Sequence, residues 1–382
     1  MAKRLLDCTA SDLVSFGKKE LLESMAGCEG RVMVSETIGI TQPLLNDVTN
    51  AEYAAALGAD VLLLNMFDVQ KPVIQALPKV LPENTIRELK RLTGRVIGIN
   101  LEPVDPRLAA SNDGTLWQMS DGRLATAENA VRAADMGVDM ILLTGNPGNG
   151  VANAAIVDAL RKIKAAAGDR VILAAGKMHG AGVLSQSGAS VMTQDDAKEF
   201  IDAGADIVLV PAPGTVPGIT VEAVHDLAGY VHKRGALLMT AIGTSQEGAD
   251  PGTIRQIALW CKMAGADLHH IGDTGVPGMA LPQNILAYSI AIRGERHTYH
   301  RMALSSTDKL NKKCPDHLGF DRRGPGTTCF WMCFWYPWYN LLLTGGEKCG
   351  IVKAQPSISL NVSLAKYRGV VFIFSSFAAA GL

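Results

Sequence analysis

Apolar positions in this chain come in short, evenly spaced runs separated by longer stretches of mixed polarity. Four runs, VLLLNM, MILLTG, IVLVPA and LHHIGD, follow directly on a Gly-x-Asp triplet: Gly58-Ala59-Asp60, Gly137-Val138-Asp139, Gly204-Ala205-Asp206 and Gly265-Ala266-Asp267. Four others alternate with them: Arg31, Arg95 and Arg170 open VMVSE, VIGIN and VILAA, and Gly235 opens ALLMTA. Such runs are too short for helices and fit strands buried on both faces of a parallel sheet. Eight strands, each followed by a helix-like stretch within about 280 residues, predict an α/β chain folded as a (β/α)8 TIM barrel. Barrels of this kind keep their chemistry at the C-terminal ends of the strands, so function is sought in the few residues after each run.

Start and stop signals place the helices. Thr49-Asn50-Ala51-Glu52 offers a capping hydroxyl and an acidic first turn. Each repeated glycine is expected to end a helix in the left-handed conformation. The aspartate two residues on is expected to cap the turn into its own strand at the N-terminal rim. Further helices are predicted over roughly 84–93, 126–136, 152–166, 193–203, 219–234, 251–264 and 281–293, with a short N-terminal helical segment over roughly 10–26 plugging the barrel bottom.

With 382 residues the chain can hold one barrel and an appendage. A net charge of −1 gives no global attraction to nucleic acid or to an anionic membrane. No stretch reaches the roughly 18–20 apolar residues of a membrane span. The N-terminus MAKRLLDCTASDLVS lacks the apolar core of a secretory signal. Cys8, Cys28 and Cys261 stand far apart with no pairing pattern, which suits a reducing cytoplasm. A cytoplasmic homo-oligomer with no nucleic-acid or membrane partner is therefore expected. Composition changes sharply after about residue 310, where CFWMCFWYPWYNLLL shows neither helical nor alternating periodicity. The chain is accordingly divided into a barrel over 1–310 and an aberrant C-terminal tail over 311–382. The tail cysteines Cys314, Cys329, Cys333 and Cys349 lack the close spacing of common zinc folds.

Side chains alternate across a strand, so positions can be compared between copies. In the Gly-x-Asp series, Asn65, Thr144 and Gly272 end strands on the inward face, and His270 lies two residues below on that face, with His269 packed behind. In the other series the same count brings Glu36, Asn100, Glu102, Lys177 and His179 to a common mouth from strands 1, 3 and 5. Ionisable groups in a cleft rimmed by apolar strands suit acid–base work. Lys177, amid small residues, can bind phosphate, act as a nucleophile, or simply pair with Glu102. Loops containing Thr144 and Asn146, then Gly243, Thr244 and Ser245, then Gly272 and Asp273 are rich in glycine and hydroxyls and are candidate phosphate cradles, the last two at the usual barrel position. Glu36, Glu102 and Asp105 offer hard oxygen ligands suited to Mg2+.

The strings DCTASD, NMFDV, GINLEPVD, LTGNPGNGV, AGKMHGAG, VPAPGTVPGIT, TAIGTSQEGAD, DLHHIGD and YSIAIRGERHTYHRMA resemble an uncharacterised family of bacterial barrel proteins across nearly all of the barrel. Members are encoded near sugar phosphotransferase systems and carry the label haloacid-dehalogenase-like hydrolase or phosphoenolpyruvate phosphonomutase. The resemblance implies the barrel fold and a sugar-phosphate substrate. Dehalogenase chemistry needs an Asp-x-Asp pair after the first strand, and Asp7-Cys8-Thr9 supplies neither the second aspartate nor the position. The expected function is an aldolase-type lyase or isomerase acting on a small phosphorylated sugar, with Lys177 polarising a carbonyl or forming a Schiff base and Glu102 or His179 moving the proton. The alternatives are a metal-assisted hydrolase using Glu36 and Glu102, and a non-catalytic sugar-phosphate sensor.

Overall fold

The computed structural model describes residues 2–104, 119–144, 152–180, 188–275 and 277–304, together with the backbone of 361–367 and 370–376. Two short helices, α1 (Ala10–Ser15) and α2 (Lys18–Ala26), precede eight parallel strands: β1 (Val32–Ile38), β2 (Val61–Asn65), β3 (Val96–Leu101), β4 (Met140–Leu143), β5 (Ile172–Gly176), β6 (Ile207–Pro211), β7 (Leu237–Ile242) and β8 (Leu268–Ile271). They close in sequence order, β8 returning to β1, so the chain is a (β/α)8 TIM barrel. The intervening helices are α3 (Asn50–Ala56), α4 (Thr85–Thr93), α5 (Ala127–Met136), α6 (Asn153–Ala167), α7 (Gln194–Asp202), α8 (Val221–His232) and α9 (Pro251–Ala264), and α10 (Pro282–Ala303) follows β8. Thr49 starts α3 through a reciprocal capping box with Glu52. The single N-terminal helix expected over 10–26 is two, broken at Phe16-Gly17. The last helix runs beyond 293 because the chain resumes a helical path after the left-handed Gly294.

Alternation sorts the strand residues into two cores. Val34, Leu63, Leu142, Leu209, Met239 and Leu268 fill the barrel and continue downward onto Leu5, Leu6, Leu21 and Met25 of the N-terminal segment, which plugs the bottom. The opposite faces, including Met33, Leu62, Ile97, Leu143, Leu173 and Val208, pack under the helices. Strand β5 corrects one expectation. Its inward residues are Ile172, Ala174 and Gly176, paired to Met140, Leu142 and Leu209 across its neighbours, and Ala175 faces the helices. Val171 is spent on the turn closing α6, so β5 enters the barrel one residue later than β1 and β3 do after their arginines.

Contacts divide the chain into residues 1–313 and 314–382. The second unit contains an antiparallel pair, β9 (Asn361–Tyr367) and β10 (Val370–Ser376), in register from Tyr367 opposite Val370. Among the described residues, no helix is long and apolar enough to cross a membrane.

The Gly-x-Asp repeat has one structural role at all four sites. Gly58, Gly137, Gly204 and Gly265 hold φ of 101°, 98°, 114° and 93°, a region that side-chain-bearing residues rarely adopt. The aspartate does not cap its own strand. Its carboxylate reaches back to the preceding strand: Asp60 accepts from Met33 N–H at 2.8 Å, Asp139 from Ile97 at 2.9 Å, Asp206 from Leu173 at 2.8 Å and Asp267 from Leu238 at 2.8 Å. The aspartate N–H donates to the carbonyl of that same residue. Each carboxylate also meets a basic side chain, Lys90 on Asp139, Lys18 on Asp206, His232 on Asp267 and both Arg293 and Arg301 on Asp60.

Asp60 is the deepest copy. Asp60, Arg293 and Arg301 have no exposed side-chain surface, and the adjacent Arg95 is pushed down to about 9 by burial and by the other guanidiniums. Removing a carboxylate from a buried pair strands its cations. Asp60→Ala should therefore cost ~3–5 kcal/mol. Asp139→Ala, whose partner Lys90 can turn toward water, should cost about 1–3 kcal/mol. Urea unfolding midpoints at constant slope measure both, and equal losses would contradict this ranking.

Candidate active site at the barrel mouth

Glu36 occupies the inward face of β1 at its upper end, buried to 5% exposure. Asp273, in the loop after β8, is near enough for its charge to act on this carboxyl. Glu36 Oε2 lies 3.6 Å from Nε2 of His270, which stands inward on β8 with no exposed surface. That separation is beyond a hydrogen bond, and neither ring nitrogen of His270 has a hydrogen-bond partner. Burial, then the charges of Asp273 and Glu247, raise Glu36 well above the usual carboxylate range. Burial alone pushes His270 down to about 4. A carboxyl reluctant to ionise thus sits above an uncharged imidazole.

The rim around this pair is bound together by amides. Asn65, the last residue of β2, donates through Nδ2 to Asp273 Oδ2 at 2.9 Å and accepts the Met66 N–H. Asn100 on β3 donates to Asn65 Oδ1 at 3.4 Å, and its own Oδ1 is buried without a partner. Asp273 accepts Gly275 N–H through its other oxygen. Glu36, Asn65, Asn100, His270 and Asp273 therefore meet at the mouth.

One member of this group was not singled out from the sequence. Glu247 lies in a short turn after β7, reached through Thr244 and Ser245 at φ of 55° and 68°. Its side chain turns inward while those two hydroxyl residues stay exposed. A Cβ built on Gly272 would lie 3.6 Å from the Glu247 carboxyl carbon. Its Oε2 is buried and unpartnered, and burial raises its pKa, with Asp273 adding to the rise. Alternation cannot find such a residue, because it sits two turns of irregular backbone beyond its strand.

Glu102 is paired to Arg123 at 2.6 Å, both side chains under a tenth exposed, while its backbone bonds Arg123 and Ala125. Its carboxylate thus fixes the connection from β3 to α5, with Arg123 as its ion-pair partner. Burial still raises Glu102 against the pull of Arg123. Lys177 is buried just beyond β5 and is lowered by burial, with Asp196 of α7 opposing; His179 is half-buried and lowered by burial. By the one-residue shift of β5, Ala174 and Gly176 face the barrel where counting from Arg170 puts Ala175. It is Met178 whose sulfur approaches the inward Gly243, 3.5 Å from a Cβ built there. Thr144 is buried at the end of β4 with its hydroxyl unpartnered. Thr244 donates to the carbonyls of Thr215 and Gly243. Asn146 and Asp105 lie outside the described residues. Among the described residues, no three His, Cys, Asp or Glu side chains gather as a metal site. His269 is packed behind β8, bonded to Gly30 O at 3.0 Å and to the Tyr288 hydroxyl at 3.3 Å.

With this geometry in hand, the chain can be placed among known proteins. It belongs to a family described as a domain of unknown function (DUF7916), matched over residues 6–308. No curated protein matches it. Among solved structures it is similar to a thiamine phosphate pyrophosphorylase from Pyrococcus furiosus, 13% identical with a TM-score of 0.39, over 69% of this chain and 96% of that one. It is also similar to a protein assigned as a lyase/mutase from Burkholderia cenocepacia J2315, 17% identical with a TM-score of 0.39, over 67% and 81% of the two chains. Likenesses at that level do not bear on chemistry.

The two histidines of β8 predict a pH dependence. Both are held at about 4, against 6.5 for a free imidazole. Between those values the unfolded chain binds protons that the folded chain refuses, so stability present above pH 6.5 is lost as pH falls toward 4, by up to ~3 kcal/mol per histidine. His270→Gln should flatten the melting temperature's decline between pH 6.5 and 4.5; an unchanged slope would show that His270 is not the source.

Proposed function

We propose that this chain is a barrel enzyme that moves a proton on a small hydroxylated carbonyl metabolite, as an isomerase or an aldolase-type lyase. The observation that carries this reading is Glu36, a carboxyl inside the mouth whose ionisation is opposed by burial and by two further acidic side chains. Once ionised, such a carboxylate is a stronger base than a solvated one, as abstraction of a proton beside a carbonyl requires. Glu36 takes that proton from carbon and returns it to the neighbouring carbon or oxygen. His270 touches Glu36 from below and is a positioning residue. Lys177, lowered by burial, is the candidate for polarising the carbonyl or forming an imine. A phosphorylated sugar is the favoured substrate class, supported by the resemblance of the barrel strings. The metal-assisted hydrolase has no metal-like cluster in its favour among the described residues.

Solvent exchange tests the reading. Aldose and ketose phosphates incubated with the protein in D2O should lose the proton signal next to the carbonyl, and Glu36→Gln should slow this by about 10²–10⁴-fold. The rate should fall as pH drops through the raised Glu36 pKa, and His270→Gln should displace that midpoint, which a purely structural role would not. Borohydride trapping of Lys177 with substrate marks the lyase; exchange without trapping marks the isomerase. Folded protein that exchanges no carbonyl compound would overturn the proposal.

A further inference from the structure

The hydrogen-bonding inventory of the mouth points to which part of a ligand it holds, and this inference rests on the site proposed above. The side-chain amides there already donate to one another and to the rim, Asn65 Nδ2 to Asp273 and Asn100 Nδ2 to Asn65. Two acceptor oxygens are left buried and unpartnered, Glu247 Oε2 and Asn100 Oδ1. A buried acceptor without a donor costs about 1–3 kcal/mol, a cost that a ligand bearing donors relieves. These atoms span the arc of the barrel from β3 through β1 and β8 to the loop after β7.

Phosphate is a poor match to this arc. Its oxygens accept, and Glu36, Glu247 and Asp273 converge at the place where the loops after β7 and β8 would otherwise cradle an anion. A row of hydroxyl groups supplies one donor per carbon and no charge. We infer that Glu247 and Asn100 are specificity-determining residues that accept hydrogen bonds from a polyhydroxylated carbon chain, so that any phosphate on the ligand lies at the end remote from this arc. His270, beneath Glu36, then faces the carbon chain only through Glu36.

Titration calorimetry on the full chain with sorbitol, inorganic phosphate and 1-amino-1-deoxysorbitol tests this. Sorbitol should bind, and Glu247→Gln and Asn100→Leu should each weaken it about tenfold, with inorganic phosphate binding unchanged by either. Retained melting temperatures establish that both variants fold. Absence of sorbitol binding to the parent, equal sorbitol affinity in both variants, phosphate binding lost on Glu247→Gln, or a clear preference for the amine would each overturn the inference. The two proposals separate cleanly: sorbitol binding without proton exchange leaves this assignment standing and removes the reaction, and exchange without Glu247-dependent sorbitol binding does the reverse.

Discussion

At the bottom of the barrel a carboxylate must reach from the start of each even strand to a backbone N–H of the strand before it, and the rest of the molecule is arranged around that reach. The aspartate residue contacts its neighbours on both sides. Its carboxylate and N–H engage the preceding strand, and its carbonyl receives the next one, as Ile172 N–H does on Asp139 and Leu237 N–H on Asp206. At Asp139 and Asp206 three strands are thereby held in register by one residue, and all four aspartates tie their strand to the one before it. The glycine two positions earlier follows from the same geometry. The helix must stop and reverse within two residues for the carboxylate to arrive, and a left-handed backbone does that at least cost without a Cβ. Register at the bottom then propagates upward, because a slip of one residue would turn every inward side chain outward.

That propagation explains how much of the mouth was legible in the sequence. Asn65 and His270 lie on even strands launched by the triplet, and counting from the aspartate placed both on the inward face, where the structure has them. Glu36 and Asn100 were reached by counting from Arg31 and Arg95, which also stand one residue before an inward valine. The count failed on β5 because the helix before it closes differently. Val171 belongs to the turn there, so a dipeptide that looks like the other launches begins the strand one residue late. Counting from Arg170 therefore put Ala175 on the inward face, where the structure has Ala174 and Gly176. Glu247 was missed for a different one: its position is set by left-handed residues at Thr244 and Ser245, and no periodicity extends through such backbone. Glu102 was counted correctly onto its strand's end, yet what it does there depends on Arg123, 21 residues on, a pairing with no periodic signature.

The two rims of the barrel differ in how completely their polar groups are satisfied. Below, Asp60 binds Arg293, Arg301 and the Met33 N–H, and the other three aspartates are each matched by a basic group and a backbone donor. Above, an uncharged imidazole, an amide oxygen and a carboxylate oxygen are buried with no partner, and the charges of Asp273 and Glu247 add to burial in raising the pKa of Glu36. Folding alone would not select such a rim, since each unmet acceptor and each crowded carboxyl subtracts from stability. Unfavourable local choices of this kind concentrate where a ligand supplies the missing partners. The unsatisfied oxygens of Asn100 and Glu247 at the upper rim are acceptors. Under the reading proposed above, the missing partner brings hydrogen-bond donors to this rim, beside a carboxyl whose ionisation is opposed by burial and by neighbouring charges.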